Sequence, residues 1–346
     1  MPLRGAQETR PMPFTLRPAL PRRRAIAALA GAAAAAAVPF ARAQPAVPWP
    51  GAKPLRLLVN FPAGGSPDLV ARAVAAPLSQ ALGQQVVVDN RAGAGGIIGA
   101  DAAAKAPPDG YTFLLSSGSA MSIVPLITPR MPFDPLKDLV PVAAGARLEL
   151  FLVARTDLPF RTFAEFLRHA RANPGRMSYG SPGNGTSPHI AGEMLKSQAG
   201  IFTVHIPYRG SGAVVQDLLA GNLDYTFDPG IAFQHVRTGR LRLLGVGATK
   251  RTPLFPDAPT LIELGMPGFD AGTTHGFWAP AGTPPEVVER LNREINRALA
   301  MPAVADAIRT LGAEATPMSP RAFGELIAAD KARYAQVIKD RKITGE

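Results

Sequence analysis

Short apolar runs that end in glycine- and serine-rich turns, each followed by a stripe of helical period, constrain this chain most. Leu55–Val59 is such a run, and it enters the turn Phe61-Pro62-Ala63-Gly64-Gly65-Ser66. Leu69, Val70, Ala73, Val74 and Leu78 then recur at the spacing of one helix face. Residues 85–89 and 112–115 repeat the run, with a second helix expected from Gly93-Ala94-Gly95-Gly96 through Ala104. Strand, helix, strand, helix, strand at this spacing predicts right-handed crossovers and a parallel sheet. Residues 148–154 read as one further strand. From Phe163 the pattern restarts. A helix runs to Ala172, then come a strand at 177–179, a glycine-rich loop at 180–185 and a helix at 188–198. A strand at 203–206, a helix at 211–220 and strands at 225–227 and 243–246 complete a second α/β unit. Near 274–280 the chain is expected to leave that unit. Helices at 286–300, 304–311 and 323–338 then pack back on the first, with no strand between them. Two α/β lobes with crossings near residues 150 and 275 make a hinged clamp. Lobe 1 is 44–150 plus 275–346, and lobe 2 is 151–274.

The first 43 residues stand outside this pattern. Arg22, Arg23 and Arg24 precede an apolar run from Ala25 to Val38, too short to span a bilayer core of roughly 30 Å. Ala41-Arg42-Ala43 follows as a small-x-small site. The three together read as an export signal cut before Gln44, by the Sec or the twin-arginine route, with Met1 or Met12 as the start. This bears on charge. The formal +11 includes seven arginines and one glutamate from residues 1–43, which leaves 30 basic and 25 acidic residues, a net +5. The basic residues of the remainder are scattered and form no stripe for a phosphate backbone, so no nucleic-acid partner is expected. With no cysteine, disulfide scaffolds, zinc fingers and thiol nucleophiles are excluded. The expected place of the mature chain is the periplasm, as a monomer.

The 34 glycines and 36 prolines matter through where they fall. Gly64-Gly65-Ser66 follows the first strand, and Ser116-Ser117-Gly118-Ser119 follows the third. The loop 181–187 and the run Tyr208-Arg209-Gly210-Ser211-Gly212 follow strands of the second unit. Open α/β sheets bind ligands at the carboxyl ends of their strands. There glycines let backbone N–H groups approach, hydroxyls add donors, and a helix N-terminus supplies about half a positive charge. Four such loops predict a site for a small carboxylate. Pro188 fits a first helical turn with Thr186 or Ser187 as N-cap, which aims the N–H groups near His189 and Ile190 at the cleft. Ordinary turns and N-caps are the plainer account of each loop taken alone.

Enzymatic readings find less. The five histidines show no metal-binding spacing, so neither a metal nor a cofactor is expected. The loop at Ser181 lacks the G-x-S-x-G elbow, and Gly93-Ala94-Gly95-Gly96 misses the dinucleotide spacing. Asp224 and Asp228 could form a carboxylate pair, although a solvated strand end accounts for them more simply. No catalytic residue is assigned. A secreted hydrolase using Ser181 or Ser119 with His189 is the alternative of another class.

Several stretches carry a more specific resemblance. They are Phe61-Pro62-Ala63-Gly64-Gly65-Ser66-Pro67-Asp68, Asn90-Arg91-Ala92-Gly93-Ala94-Gly95-Gly96, Pro108-Asp109-Gly110-Tyr111-Thr112, Tyr179-Gly180-Ser181 through Gly185-Thr186 with His189, Pro207-Tyr208-Arg209-Gly210, Phe227-Asp228, Pro256-Asp257-Ala258-Pro259-Thr260 and Ala279-Pro280-Ala281-Gly282-Thr283-Pro284. In this order the chain resembles the periplasmic solute receptors of tripartite tricarboxylate transporters, the Bug receptor family. The resemblance implies a two-lobed type II periplasmic-binding-protein fold. Each lobe is a mixed, mostly parallel sheet flanked by helices. It implies capture of a small organic carboxylate, delivery to membrane permease subunits or signalling to a sensor kinase, and no catalysis. Carried over residue by residue, the ligand-binding set is Gly64, Gly65, Asp68, Ser117, Ser119, Ser181, Gly185, Thr186, His189, Tyr208 and Asp228. The carboxylate would be held, partly through water, by the loop from Ser181 to Thr186 and the loop after the first strand. Thr274 and Pro229 depart from the family's aromatic and polar residues at the cleft rim, which bears on ligand size and identity.

Overall fold

The computed structural model describes residues 49–344 except Ala52 and Arg341, so the export-signal reading lies outside the described residues. Two sheets organise the chain. The first is built on β1 (Leu55–Val59), β2 (Val86–Asn90) and β3 (Thr112–Ser116), which pair in parallel with β1 in the middle. The crossovers are α1 (Ser66–Leu82), and a 3-10 turn at Ala94–Gly96 running into α2 (Ile97–Ala104). β1 is apolar throughout because both its faces are covered. Leu55, Leu57 and Val59 pack under α1, while Leu58 joins Leu114, Ala100 and Ala103 on the opposite face. On α1 the buried stripe is Val70, Ala71, Val74, Leu78 and Leu82. Leu69, expected on that stripe, is turned outward and exposed.

Two short helices, α3 (Gly118–Ser122) and α4 (Val124–Ile127), follow β3. The next strand differs from the sequence expectation. In place of one strand at 148–154 there are two, β4 (Leu139–Leu148) in the first sheet and β5 (Phe151–Arg155) in the second. The second sheet is completed by β6 (Ser178–Ser181), β7 (Val204–Pro207), β8 (Tyr225–Asp228) and β9 (Leu241–Val246), in the order β7-β6-β8-β5-β9. Its helices are α5 (Phe163–Ala172), α6 (Ser187–Ala199), α7 (Ser211–Ala220) and α8 (Phe233–Arg237). Helix α5 starts from a capping box, in which Glu165 N–H donates to Thr162 Oγ1 and Thr162 N–H donates to the Glu165 carboxylate.

The segment at 274–280, expected as an exit, is a strand in its own right. β10 (Thr273–Pro280) lies between β3 and β4 in the first sheet and is buried along its whole length. A short β11 (Ala313–Ala315) pairs with β4, where no strand was expected among the last helices. The chain leaves the first sheet along β4 and returns along β10, so these neighbours must run in opposite directions. Both sheets are therefore mixed. β1 pairs in parallel with β2 and β3, and β6 with β7 and β8, while the strands around β4, β10 and β5 are antiparallel. Between the sheets, Gly247 N–H donates to Leu150 O (2.7 Å) and Ala271 N–H to Gly247 O (3.0 Å), which ties the two crossing segments together.

Helices α9 (Pro285–Leu299), α10 (Pro302–Arg309) and α11 (Pro320–Asp340) close the chain. Val287, Leu291, Ile295 and Leu299 of α9 complete the first core. Helix α11 covers the first sheet with Phe323 and Ile327, and its later turns reach the second core through Tyr334, whose hydroxyl donates to Gly272 O (3.0 Å). The fold is a two-lobed α/β clamp, with Asp224 and Asp228 at opposite ends of β8. Asp224 is paired with Arg155 and Asp228 with backbone N–H groups, so they are no carboxylate pair.

Candidate functional site

A cavity of about 190 Å³ lies where the carboxyl ends of both sheets meet. The first sheet contributes Gly65 and Ser66 at the start of α1, Ser117 and Ser119 after β3, and Thr273 and His275 of β10. The second contributes Thr186, Ser187 and Pro188 at the start of α6, Gly210 to Ala213 at the start of α7, and Pro229 after β8. Phe61, Pro62, Leu150 and Pro182 add apolar wall. Arg209 is the only charged side chain among the lining residues, and it is exposed. A second cleft of about 410 Å³ adjoins it, sharing Phe61, Pro182 and Arg209.

Helices α1, α6 and α7 all point their N-termini at this cavity. Their N-caps are Gly65 and Gly210, which have no side chain to cap with, and Thr186, whose side chain accepts no bond from the helix's own N–H groups. Thr186 could have capped α6, but its hydroxyl donates to Gly183 O instead (2.7 Å). Ordinary side-chain capping therefore does not account for Thr186. Unsatisfied N–H groups with about half a positive charge at each helix start form an anion site.

Of the residues expected to bind ligand, Gly65, Ser117, Ser119 and Thr186 line the cavity. Ser117 and Ser119 hold each other through their hydroxyls (2.8 Å). The others stand behind the wall. The Asp68 carboxylate accepts from Gly64 N–H (2.9 Å), from Arg72 and from Asn90. Burial pushes this carboxyl up, but those donors outweigh it and hold it below the usual range. Asp68 and Gly64 thus shape the loop before α1. Ser181 Oγ meets His205 Nε2 (2.7 Å) and donates to Gly183 O, while Gly185 N–H donates to His189 Nδ1 (3.1 Å). The His189 and His205 rings stack 4.2 Å apart under the loop. Burial lowers both, His189 to about 4 and His205 to about 3, so both are neutral supports at pH 7. Asp228 accepts from Gly230 and Ala232 N–H (2.7 and 2.9 Å) and orders the turn that carries Pro229. Burial pushes its carboxyl up to about 6. Tyr208 lines the adjoining cleft and donates to Asp217 (2.5 Å).

Sequence reasoning missed Thr273 and His275, because β10 was read as an exit. The available signal was the short apolar run Gly276-Phe277-Trp278-Ala279, which fits a buried strand that Thr273, Thr274 and His275 begin. His275 Nε2 lies 3.0 Å from Ser66 Oγ, a histidine–serine pair facing the cavity. As a catalytic dyad it lacks what activates a serine. Burial drives the imidazole to about 3, and no carboxylate orients Nδ1. Ser119 is bonded to Ser117, and Ser181, with His205 rather than His189, does not line the cavity. The arrangement suits binding.

Comparison with known proteins agrees with this geometry. Residues 70–343 match the model of the tripartite tricarboxylate transporter family receptor. The chain is 41% identical over 295 residues to Protein BugT of Bordetella pertussis, covering 84% of this chain and 89% of that one. The structure of R. palustris Rpa4515 with adipate superposes with a TM-score of 0.83 at 33% identity, over 86% of this chain and 99% of that one. MatC from Rhodopseudomonas palustris with bound malate gives 0.79 at 29% identity, over 83% and 99%. Among the described residues no helix is long and apolar enough to cross a membrane. The chain belongs to the receptor family of the tripartite tricarboxylate transporters.

Proposed function

We propose that this protein is an extracytoplasmic receptor that closes on a small organic acid and delivers it to the membrane permease subunits of a tripartite transporter. The observation that carries this reading is the convergence of three uncapped helix N-termini, from both sheets, on one cavity. Residues 1–43 direct export and are removed before Gln44. Residues 44–150 with 275–346 form one lobe and 151–274 the other, and the protein acts as a monomer. Gly65, Ser117, Ser119 and Thr186 touch the ligand directly. Gly64, Asp68, Ser181, Gly185, His189 and Asp228 hold the backbone donors in place, and Tyr208 borders the ligand's outer end. Adipate and malate in the related structures belong to the same chemical class. With one exposed arginine and walls of proline, leucine and phenylalanine, the cavity suits one or two carboxylates on a compact apolar body. A third buried charge would be desolvated without a cation to face it.

Calorimetry against C4–C6 dicarboxylates, aromatic acids and acidic amino acids tests the reading. At least one acid should bind more tightly than about 100 μM, roughly 5.5 kcal/mol. A panel in which none does would remove the basis for a carboxylate receptor.

A further inference from the structure

β10 brings to the cavity wall two buried polar side chains that the protein does not satisfy. Thr273 and His275 are each 2% exposed, both line the cavity, and they stand two residues apart on one strand face. Thr273 Oγ1 has no hydrogen-bond partner, and His275 engages Nε2 with Ser66 but leaves Nδ1 without one. Buried polar atoms are nearly always paired, since leaving one unpaired is costly. Thr274 Oγ1 is also unpartnered, but it belongs to the opposite strand face and does not line the cavity. What sets Thr273 and His275 apart is that they line the cavity.

The chemistry they offer is specific. Burial alone keeps the imidazole neutral at pH 7, so the pair presents donors and acceptors without charge. Arg209, the only charged lining residue, comes from the opposite sheet. A second carboxylate placed against β10 would lose its water and meet no cation. A hydroxyl or a carbonyl oxygen would satisfy both atoms, and a heteroaromatic nitrogen, with its single lone pair or N–H, one of them.

We propose that Thr273 and His275 form a second subsite that recognises a neutral hydrogen-bonding group on the ligand, while the helix N-termini hold its carboxylate. This rests on the carboxylate reading above and narrows it to hydroxy-, oxo- or heteroaromatic acids.

The test is calorimetry on acid pairs that differ by one hydroxyl: malate against succinate, and 3- and 4-hydroxybenzoate against benzoate. In at least one pair the hydroxylated acid should bind at least tenfold more tightly. Thr273→Val should bring that ratio to within twofold of unity, and Thr273→Ser should restore it. Equal affinities throughout the wild-type pairs, or a ratio that survives Thr273→Val, would overturn the subsite and leave the carboxylate reading standing. If no acid binds, the carboxylate reading fails and the subsite falls with it.

Discussion

Replacing Gly210 by valine is expected to weaken ligand binding by tenfold to a hundredfold with little change in the unfolding temperature. Gly210 follows β7 of the second sheet, and Pro62 follows β1 of the first. A Cβ on Gly210 would lie 2.8 Å from Pro62 Cγ, closer than packed carbons tolerate. The proline ring cannot swing aside as a flexible tip would. Gly210 has φ of 171°, extended backbone open to any residue, so the substitution adds bulk without backbone strain. Overpacking of this kind costs about 1–3 kcal/mol. Because the contact bridges the two sheets across the cavity, opening the cleft relieves it most cheaply. The apparent affinity then falls with the fraction of closed molecules. Gly95 makes a comparable approach, with a Cβ 2.8 Å from Asn184 O, but its φ of 64° adds strain and makes it the less clean probe. Titration of the Gly210→Val protein with an acid that binds the wild type, beside its small-angle scattering, checks this. Unchanged affinity and unchanged dimensions would show that the contact does not govern closure.

Acid should destabilise the protein well before its surface carboxylates titrate. His189, His205 and His275 are held neutral by burial, near 4, 3 and 3, against about 6.5 in an unfolded chain. Their contribution is fully present above pH 6.5. It is lost as the pH falls from there toward the folded values, because the unfolded state takes up protons that the folded state refuses. Asp228 works the other way. Its carboxyl sits near 6 when folded and about 3.8 when unfolded, so it adds stability as the pH falls through that window and offsets about one histidine. The net loss between pH 6.5 and 4.5 is on the order of 3–5 kcal/mol, a large share of a typical domain's stability. Denaturant unfolding at the two pH values measures it. His205→Gln should remove about half of the net slope, and a flat profile from pH 7 to 4.5 would show that the histidines protonate freely in the fold.

How much of this was legible in the sequence follows from what each element needs. β1 and β3 show as apolar runs because both faces are covered, and α9 shows through its single stripe Val287, Leu291, Ile295 and Leu299. β4 and β10 do not show as strands. Pro141 and Gly145 interrupt the first, and Thr273, Thr274 and His275 open the second with polar residues. They are strands because the chain must cross twice between sheets, a reason that lies in tertiary structure. β11 is three residues long and exists only as a partner to β4. The loops of the site were legible as glycine, serine and proline at strand ends. Which side chains face the ligand was not. Asp68 turns to Arg72 and Asn90, and Ser181 to His205, partners 4, 22 and 24 residues away. Only the first of these, one helical turn along, could have been anticipated from spacing.

If backbone N–H groups at the converging helix starts read a carboxylate, removing the ligand's charge must cost affinity. Comparing an acid that binds with its own carboxamide tests it most directly, since the two differ little in shape and the amide lacks the charge. The amide should bind at least a hundredfold more weakly to the same protein under the same buffer. An amide that binds as tightly as its acid would contradict it.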